Sequence, residues 1–398
     1  MTEHTNTPAL RFPEFRDEWN QNKLSDVVNV YDGTHQTPKY TNEGIKFLSV
    51  ENIKTLNSNK YISKEDFIKE FKIHPEYGDI LMTRIGDIGT PNIVNLKEPL
   101  AYYVSLALLK PININSYFLN SLILSPTVQN ELWRKTLHIA FPKKINKNEI
   151  AKVLINYPTF NEQEKIGYFF SKLDHQIELE EKKLELLEQQ KKGYMQKIFS
   201  QQLRFKDENG NDYPNWAVVK LKDILSERKE YASKTENYPH ATLSTSGITL
   251  KSDRYNRDFL VKDKSKKYKV TIMNDICYNP ANLKFGVITR NRIGSVIFSP
   301  IYITFEVNNR YSPLFIELLV TRNDFINRIR KYEEGTVYER MAVKPKDFLN
   351  YETEIPCLEE QKKIGDFLVK IDKLIENQSK KIDFLKQRKQ GLLQKMFV

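Results

Sequence analysis

Residues 158–199, PTFNEQEKIGYFFSKLDHQIELEEKKLELLEQQKKGYMQKIF, return 198 positions later as residues 356–397, PCLEEQKKIGDFLVKIDKLIENQSKKIDFLKQRKQGLLQKMF. The two stretches align without a gap. By direct count 20 of 42 positions are identical, among them Glu162/Glu360, Gln163/Gln361, Lys165/Lys363, Gly167/Gly365, Asp174/Asp372, Gly193/Gly391 and Gln196/Gln394. A match of that density marks an internal duplication, which sets the architecture before any motif is read.

Alternating steps of four and three from Ile166 visit Phe170, Leu173, Ile177, Leu184 and Leu187, with Glu180 and Lys191 as the polar interruptions. That is a heptad seam. The copy runs through Ile364, Leu368, Ile371, Ile375, Ile382 and Leu385, and its interruptions Gln378 and Lys389 fall at the matching places. Polar groups on a seam cost stability but fix register, so matched interruptions predict that the two helices pair with each other. Two separate amphipathic helices, each lying on its own domain, are the plainer alternative. A continuous helix over 162–199 would span roughly 57 Å at about 1.5 Å per residue.

Two further repeats frame the remainder. LRFPEFRDEWNQNKLSDVV (10–28) is matched by LRFKDENGNDYPNWAVVKLKDIL (203–225), and FPKKINKNEI (141–150) by YERMAVKPKDF (338–348). The order is therefore domain, helix, domain, helix: 1–157, 158–200, 201–355 and 356–398. Between these markers the halves diverge. IKFLSV and DILMTRI in the first, with KKYKVTIMNDICYNP, GVITRN and GSVIFSPIYITFEV in the second, read as strands, and 117–137 and 313–331 read as helices packed on them. The expected class is α+β, two mixed α/β domains separated by two long repeated helices in a pseudo-two-fold internal repeat.

A chain of 398 residues with 40% apolar and 12% aromatic residues is long enough for two cores. The formal charge is +11, and by segment it runs +2 (1–157), −1 (158–200), +6 (201–355) and +4 (356–398). An anionic partner such as nucleic acid is favoured, met by the globular parts rather than by the first helix. Two lone cysteines, Cys277 and Cys357, and six scattered histidines build neither a disulfide framework nor a zinc cluster. A cytoplasmic location is expected, since the start MTEHTNTPALRF is unlike a secretory leader and no run reaches the length of a membrane span.

No catalytic motif emerges. No Pro-Pro occurs, as an amino-methyltransferase loop requires, and Asn279-Pro280-Ala281 reads as a turn. None of the 14 glycines is followed by lysine, which excludes a Walker loop. Glu180-Glu181-Lys182 has nuclease-like spacing but sits on the heptad helix, and Ile85-Gly86-Asp87-Ile88-Gly89 reads as a loop.

Two variable modules, each followed by a helix carrying Glu-Gln-x-Lys-Ile-Gly-x-Phe and ending Gly-x-x-Gln-Lys-x-Phe, resemble the specificity subunits of type I restriction-modification systems. Gly33–Tyr40, Gly44–Val50 and Gly335–Val343 resemble segments of that family's target-recognition domains. The resemblance implies a non-catalytic DNA-recognition subunit whose helices pair as an antiparallel coiled coil. It implies double-stranded DNA with a bipartite site, two methyltransferase subunits and ATP-dependent restriction subunits as partners. S-adenosylmethionine, ATP and Mg would belong to those partners, with no cofactor on this chain. Half-sites one helical turn apart, roughly 34 Å, leave a non-specific gap of about 5 to 8 base pairs. A stand-alone DNA-binding regulator or architectural protein, and a scaffold with no DNA role, remain as alternatives.

Polar groups able to meet base edges or phosphates are, in the first domain, His35, Gln36, Thr37, Lys39, Tyr40, Arg84, Lys143 and Lys144. In the second they are Lys266, Lys267, Lys269, Asn279, Asn282, Lys284, Arg290, Arg292, Tyr338 and Arg340.

Overall fold

The computed structural model describes residues 6–233, 238–251, 267–334 and 341–398. It contains two compact units, Met1–Glu185 with Asn377–Val398, and Leu186–Glu376. The chain is a two-domain α+β repeat, and each unit includes part of each long helix. Those helices run over Phe160–Phe199 and Leu358–Met396.

In the first unit a four-stranded antiparallel sheet has the order Val28–Asp32, Leu106–Pro111, Ile80–Ile85, Asp87–Ile93. The apolar runs of its two central strands are continuous because both faces are covered. Ile80, Met82, Ala107 and Leu109 face a core shared with helices 116–134 and the long helices, while Leu81, Leu106 and Leu108 face a second core. That second core also holds Ile45–Leu48, Tyr61–Ile62 and Leu100–Tyr102, a three-stranded sheet in which the first and last strands pair in parallel.

The second unit repeats the plan with Leu225–Glu227, Ile303–Val307, Ile276–Tyr278 and Ile288–Arg290 in the four-stranded sheet. Ile276 and Tyr278 face the helical core and Cys277 the other side. Its three-stranded sheet, Tyr231–Ser233, Lys267–Thr271 and Val296–Phe298, is antiparallel throughout. The units therefore differ where the sequences diverge.

The expected helix over 117–137 is two, Ser116–Leu124 and Pro126–Arg134. Pro126 forces Ser125 into extended backbone, and the Ser125 hydroxyl then caps the second helix through Val128 N. The expected helix over 313–331 divides likewise, into Pro313–Val320 and Asn323–Ile329 with extended Arg322 between them.

The repeated Glu-Gln pair fastens each long helix to its domain. Glu162 is 1% exposed and accepts two 2.7 Å hydrogen bonds from the Arg11 guanidinium. Glu360, fully buried, takes the same fork from Arg204 at 2.7 and 2.8 Å. Gln163 donates to the Pro158 carbonyl and accepts from Asn115 N, the cap residue of helix Ser116–Leu124. Gln361 does the same with the Pro356 carbonyl and the N–H of the cap residue Ser312. Gly167 allows the close approach, since a Cβ there would lie 2.7 Å from Phe118 N. A Cβ on Gly193 would meet nothing within 4 Å.

Seam residues of both helices meet inside each unit. In the first, Phe170 contacts Phe397, Leu173 and Ile177 pack with Leu385, and Gln378 donates to the Glu180 carboxylate at 2.6 Å. Lys389 pairs with Asp174 at 2.5 Å. In the second, Lys191 pairs with Asp372 at the same distance, and Ile198 shares a core with Ile364, Leu368 and Ile371. Leu184, Leu187 and Ile375 are half-buried, and Ile382 is buried.

Arg11→Ala will lower the stability of the first unit by about 3 kcal/mol, because it strands a buried carboxylate. Gly167→Ala will cost about 1–3 kcal/mol through overpacking, whereas Gly193→Ala will add about 0.5–1 kcal/mol of helix stability. Denaturant unfolding of the three variants checks the ranking, and a neutral Gly167→Ala would contradict it.

Candidate nucleic-acid interface

In the first unit, strand Val28–Asp32 opens into the segment 33–41. Gly33 stands where two backbones nearly touch, since a Cβ there would be 2.5 Å from the Tyr103 carbonyl. Thr34 then donates to the Tyr102 carbonyl and accepts from Val104 N, which anchors the root of the segment. Beyond that root His35, Gln36, Thr37, Lys39 and Tyr40 are all exposed. The Tyr40 ring sets its edge against Phe47 at 5.7 Å, and the Lys60 ammonium lies 5.9 Å from the ring.

A second segment, 137–144, closes on itself through Leu137 N donating to the Lys144 carbonyl. Lys143 and Lys144 are exposed, and the Lys143 ammonium sits 4.4 Å from the Trp133 ring. The tight turn at Gly86, where φ is +82°, donates its N–H to the Lys143 carbonyl at 2.8 Å.

Arg84 is the correction in this unit. Proposed from sequence as a surface reader, it is 4% exposed and bonded inside the fold. Its Nε donates to the Ile145 carbonyl at 3.0 Å, and its Nη1 forms an ion pair with Asp32. Asp32 ends the strand that leads into 33–41, and Ile145 follows 137–144. One buried guanidinium thus brings the two exposed segments together, and its role is positioning.

In the second unit Lys269 and Asn279 are likewise withdrawn from the surface. Lys269 is 1% exposed, 3.5 Å from Glu227 and 4.9 Å from the centre of the Tyr231 ring. Asn279 is buried and caps the 3-10 turn Pro280–Phe285 by accepting from Ala281 N. That turn carries Asn282, half-buried, and Lys284, exposed with its ammonium 4.9 Å from the exposed Phe285 ring. It joins strands Ile276–Tyr278 and Ile288–Arg290, and Arg290 sits at the other end of their ladder, opposite Ile276. There the Arg290 and Arg292 guanidinium groups converge on buried Glu317 at 3.0 and 2.9 Å. Arg290 also donates to Asn274, while Arg292 remains largely exposed. Lys267 is exposed at the start of its strand, and Lys266, Tyr338 and Arg340 lie outside the described residues.

Burial pushes the Cys277 thiol up to about 12, so it is a neutral core group at physiological pH. Among the described residues no cluster of His, Cys, Asp and Glu is placed to hold a metal ion, and no helix is long and apolar enough to cross a membrane.

The family model of the type I restriction modification DNA specificity domain matches twice, over residues 16–189 and 213–387. The chain belongs to that family. Its function is that of a specificity subunit, the DNA-recognition component of a type I restriction-modification system. Similar proteins include the type I restriction enzyme MjaVIII specificity subunit of Methanocaldococcus jannaschii, 23% identical over 97% of this chain and 92% of that one. The putative MjaX specificity subunit of the same organism is 24% identical over 96% and 93%. Two solved structures share the fold of this specificity subunit. The type I restriction-modification system S subunit from M. genitalium superposes with a TM-score of 0.58 at 15% identity, over 98% of this chain and 99% of that one. A chain solved for complex assembly and conformational transition of the type I R-M system gives 0.52 at 14% identity, over 94% and 96%.

In segments 33–41 and 137–144 of this specificity subunit the polar residues expected from the sequence are exposed, whereas Arg84, expected with them, is buried between the two. Arg84→Met will cost about 3 kcal/mol, because it leaves Asp32 without its buried partner. Lys143→Ala will leave unfolding unchanged and weaken binding of all DNA sequences alike. Unfolding curves and salt-dependent gel shifts with the assembled complex separate the two, and an unchanged Arg84→Met midpoint would refute the positioning role.

Proposed function

We propose that each unit reads one half of a bipartite DNA target, and that the two long helices run antiparallel as one coiled coil that sets the gap between half-sites. The observation that carries this reading is the doubling of two charged joints. Arg11–Glu162 recurs as Arg204–Glu360, and Lys389–Asp174 as Lys191–Asp372, while the exposed segments of the two units share no such match. A common frame with different surfaces suits a target of two different halves. Support for the pairing comes from the seam: contacts climb from Phe170 through Leu173 to Glu180 on one helix as they descend from Phe397 through Leu385 to Gln378 on the other.

The chain serves as a non-catalytic subunit that binds double-stranded DNA, two methyltransferase subunits and ATP-dependent restriction subunits. It carries no cofactor, and S-adenosylmethionine, ATP and Mg act on those partners in the cytoplasm. Apolar side chains exposed along the long helices, Tyr168, Leu179, Leu186, Leu374 and Phe384, give the methyltransferases a surface to cover.

Single-molecule methylation mapping of cells carrying this chain and its partners will return two short unequal motifs separated by a gap of about 5 to 8 base pairs. Exchanging residues 20–157 for those of another specificity subunit will change one motif and leave the other and the gap intact. A continuous palindromic motif would overturn the reading.

A further inference from the structure

The loop between helix Pro126–Arg134 and Ile145 exposes a set of apolar side chains that the fold does not use. Ile139 is 99% and Phe141 103% exposed, so neither contributes to a core. Trp133 at 50% and Leu137 at 42% flank them. Single exposed apolar residues are ordinary, but four on one helix end and its loop mark a contact surface.

The loop is also held in shape. Leu137 N donates to the Lys144 carbonyl at 2.8 Å, Ala140 N to the Leu137 carbonyl at 3.3 Å, and Gly86 N to the Lys143 carbonyl at 2.8 Å. His138 meets the Trp133 carbonyl at 3.0 Å through Nε2, and its ring packs against the Trp133 ring at 4.4 Å. A tip fixed in advance loses little freedom on binding.

Charge identifies the occupant. Lys143 and Lys144 directly follow the tip and are exposed. The nearby acids are engaged, Glu131 with Arg134 and Lys135, and Asp87 with the Thr83 hydroxyl. Apolar side chains beside cations suit a polyanion with an apolar interior, which is a stacked duplex. Phe and Ile are among the side chains that enter base steps as wedges.

We propose that Phe141, with Ile139 beside it, is an apolar wedge that presses into one base step of the half-site met by the first unit, while Lys143 and Lys144 hold the flanking phosphates. This rests on the reading that the first unit contacts DNA. Arg84 and Gly86 tie the wedge to segment 33–41, so it acts at the same half-site as His35–Tyr40.

The test uses the assembled complex and duplexes carrying the methylated motif mapped from its own host, with 2-aminopurine moved step by step through both halves. Beyond the base that a methyltransferase subunit extrudes in each half, wild type should raise the fluorescence at one further step, in one half only. Phe141→Ala should abolish that rise and weaken binding about tenfold, the size of one lost aromatic–base contact. Its melting temperature should not move, because the side chain is fully exposed, and Phe141→Met should restore most of the rise. A further rise that persists in Phe141→Ala, or no rise apart from the extruded bases while wild type binds the duplex, would overturn the wedge alone. Failure of wild type to bind the mapped duplex would instead count against DNA reading by this unit.

Discussion

A carboxylate buried in the first turn of a 40-residue helix is unstable unless a cation meets it with good geometry. Glu162 and Glu360 are such carboxylates, and the forks from Arg11 and Arg204 satisfy both oxygens of each. Several neighbouring contacts in each unit meet at this joint. The arginine belongs to the Leu-Arg-Phe segment, whose Phe12 packs edge-on against Phe169, as Phe205 does against Phe367. The adjacent glutamine ties the helix start to the cap of the next helix, and the glycine one turn later removes the side chain that would hold them apart. Orientation of a recognition domain on its helix thus depends on one charged pair, one amide and one missing Cβ.

The frame ends where variation is tolerated. In both units the four-stranded sheet buries both faces, and its residues alternate between a helical core and a sheet-facing core. Several of the candidate DNA-contacting segments lie on connections. In the first unit these are 33–41 and 137–144, coupled through Arg84, and in the second the turn Pro280–Phe285. Loops on a rigid sheet can change their chemistry without disturbing the core, which a subunit that selects DNA sequences requires.

Much of this was legible in the chain. Strands such as DILMTRI and ICY were recognisable from β-branched and apolar runs, and the long helices from their heptads. The division at Ser125–Pro126 was also available as a local signal, since a cap residue followed by proline starts a helix. The candidate recognition surface was harder to read. His35–Tyr40 and Lys143–Lys144 are exposed as expected, but Arg84, Lys269 and Asn279 are the same residue types turned inward. The full exposure of Ile139 and Phe141 has no signature in the sequence, because apolar residues at such spacing fit a core equally well.

By itself the sequence determined the duplication and the long heptad-patterned helix that ends each copy, since these depend on periodicity and identity along one dimension. Only the tertiary structure decided which polar groups are spent within the fold. Glu162 as the partner of Arg11, Arg84 as the link between Asp32 and Ile145, and Glu317 as the acceptor for Arg290 and Arg292 each join residues remote in the chain. A charge has no sequence period that reveals its partner. Its role depends on whether folding places an opposite charge or an open surface beside it.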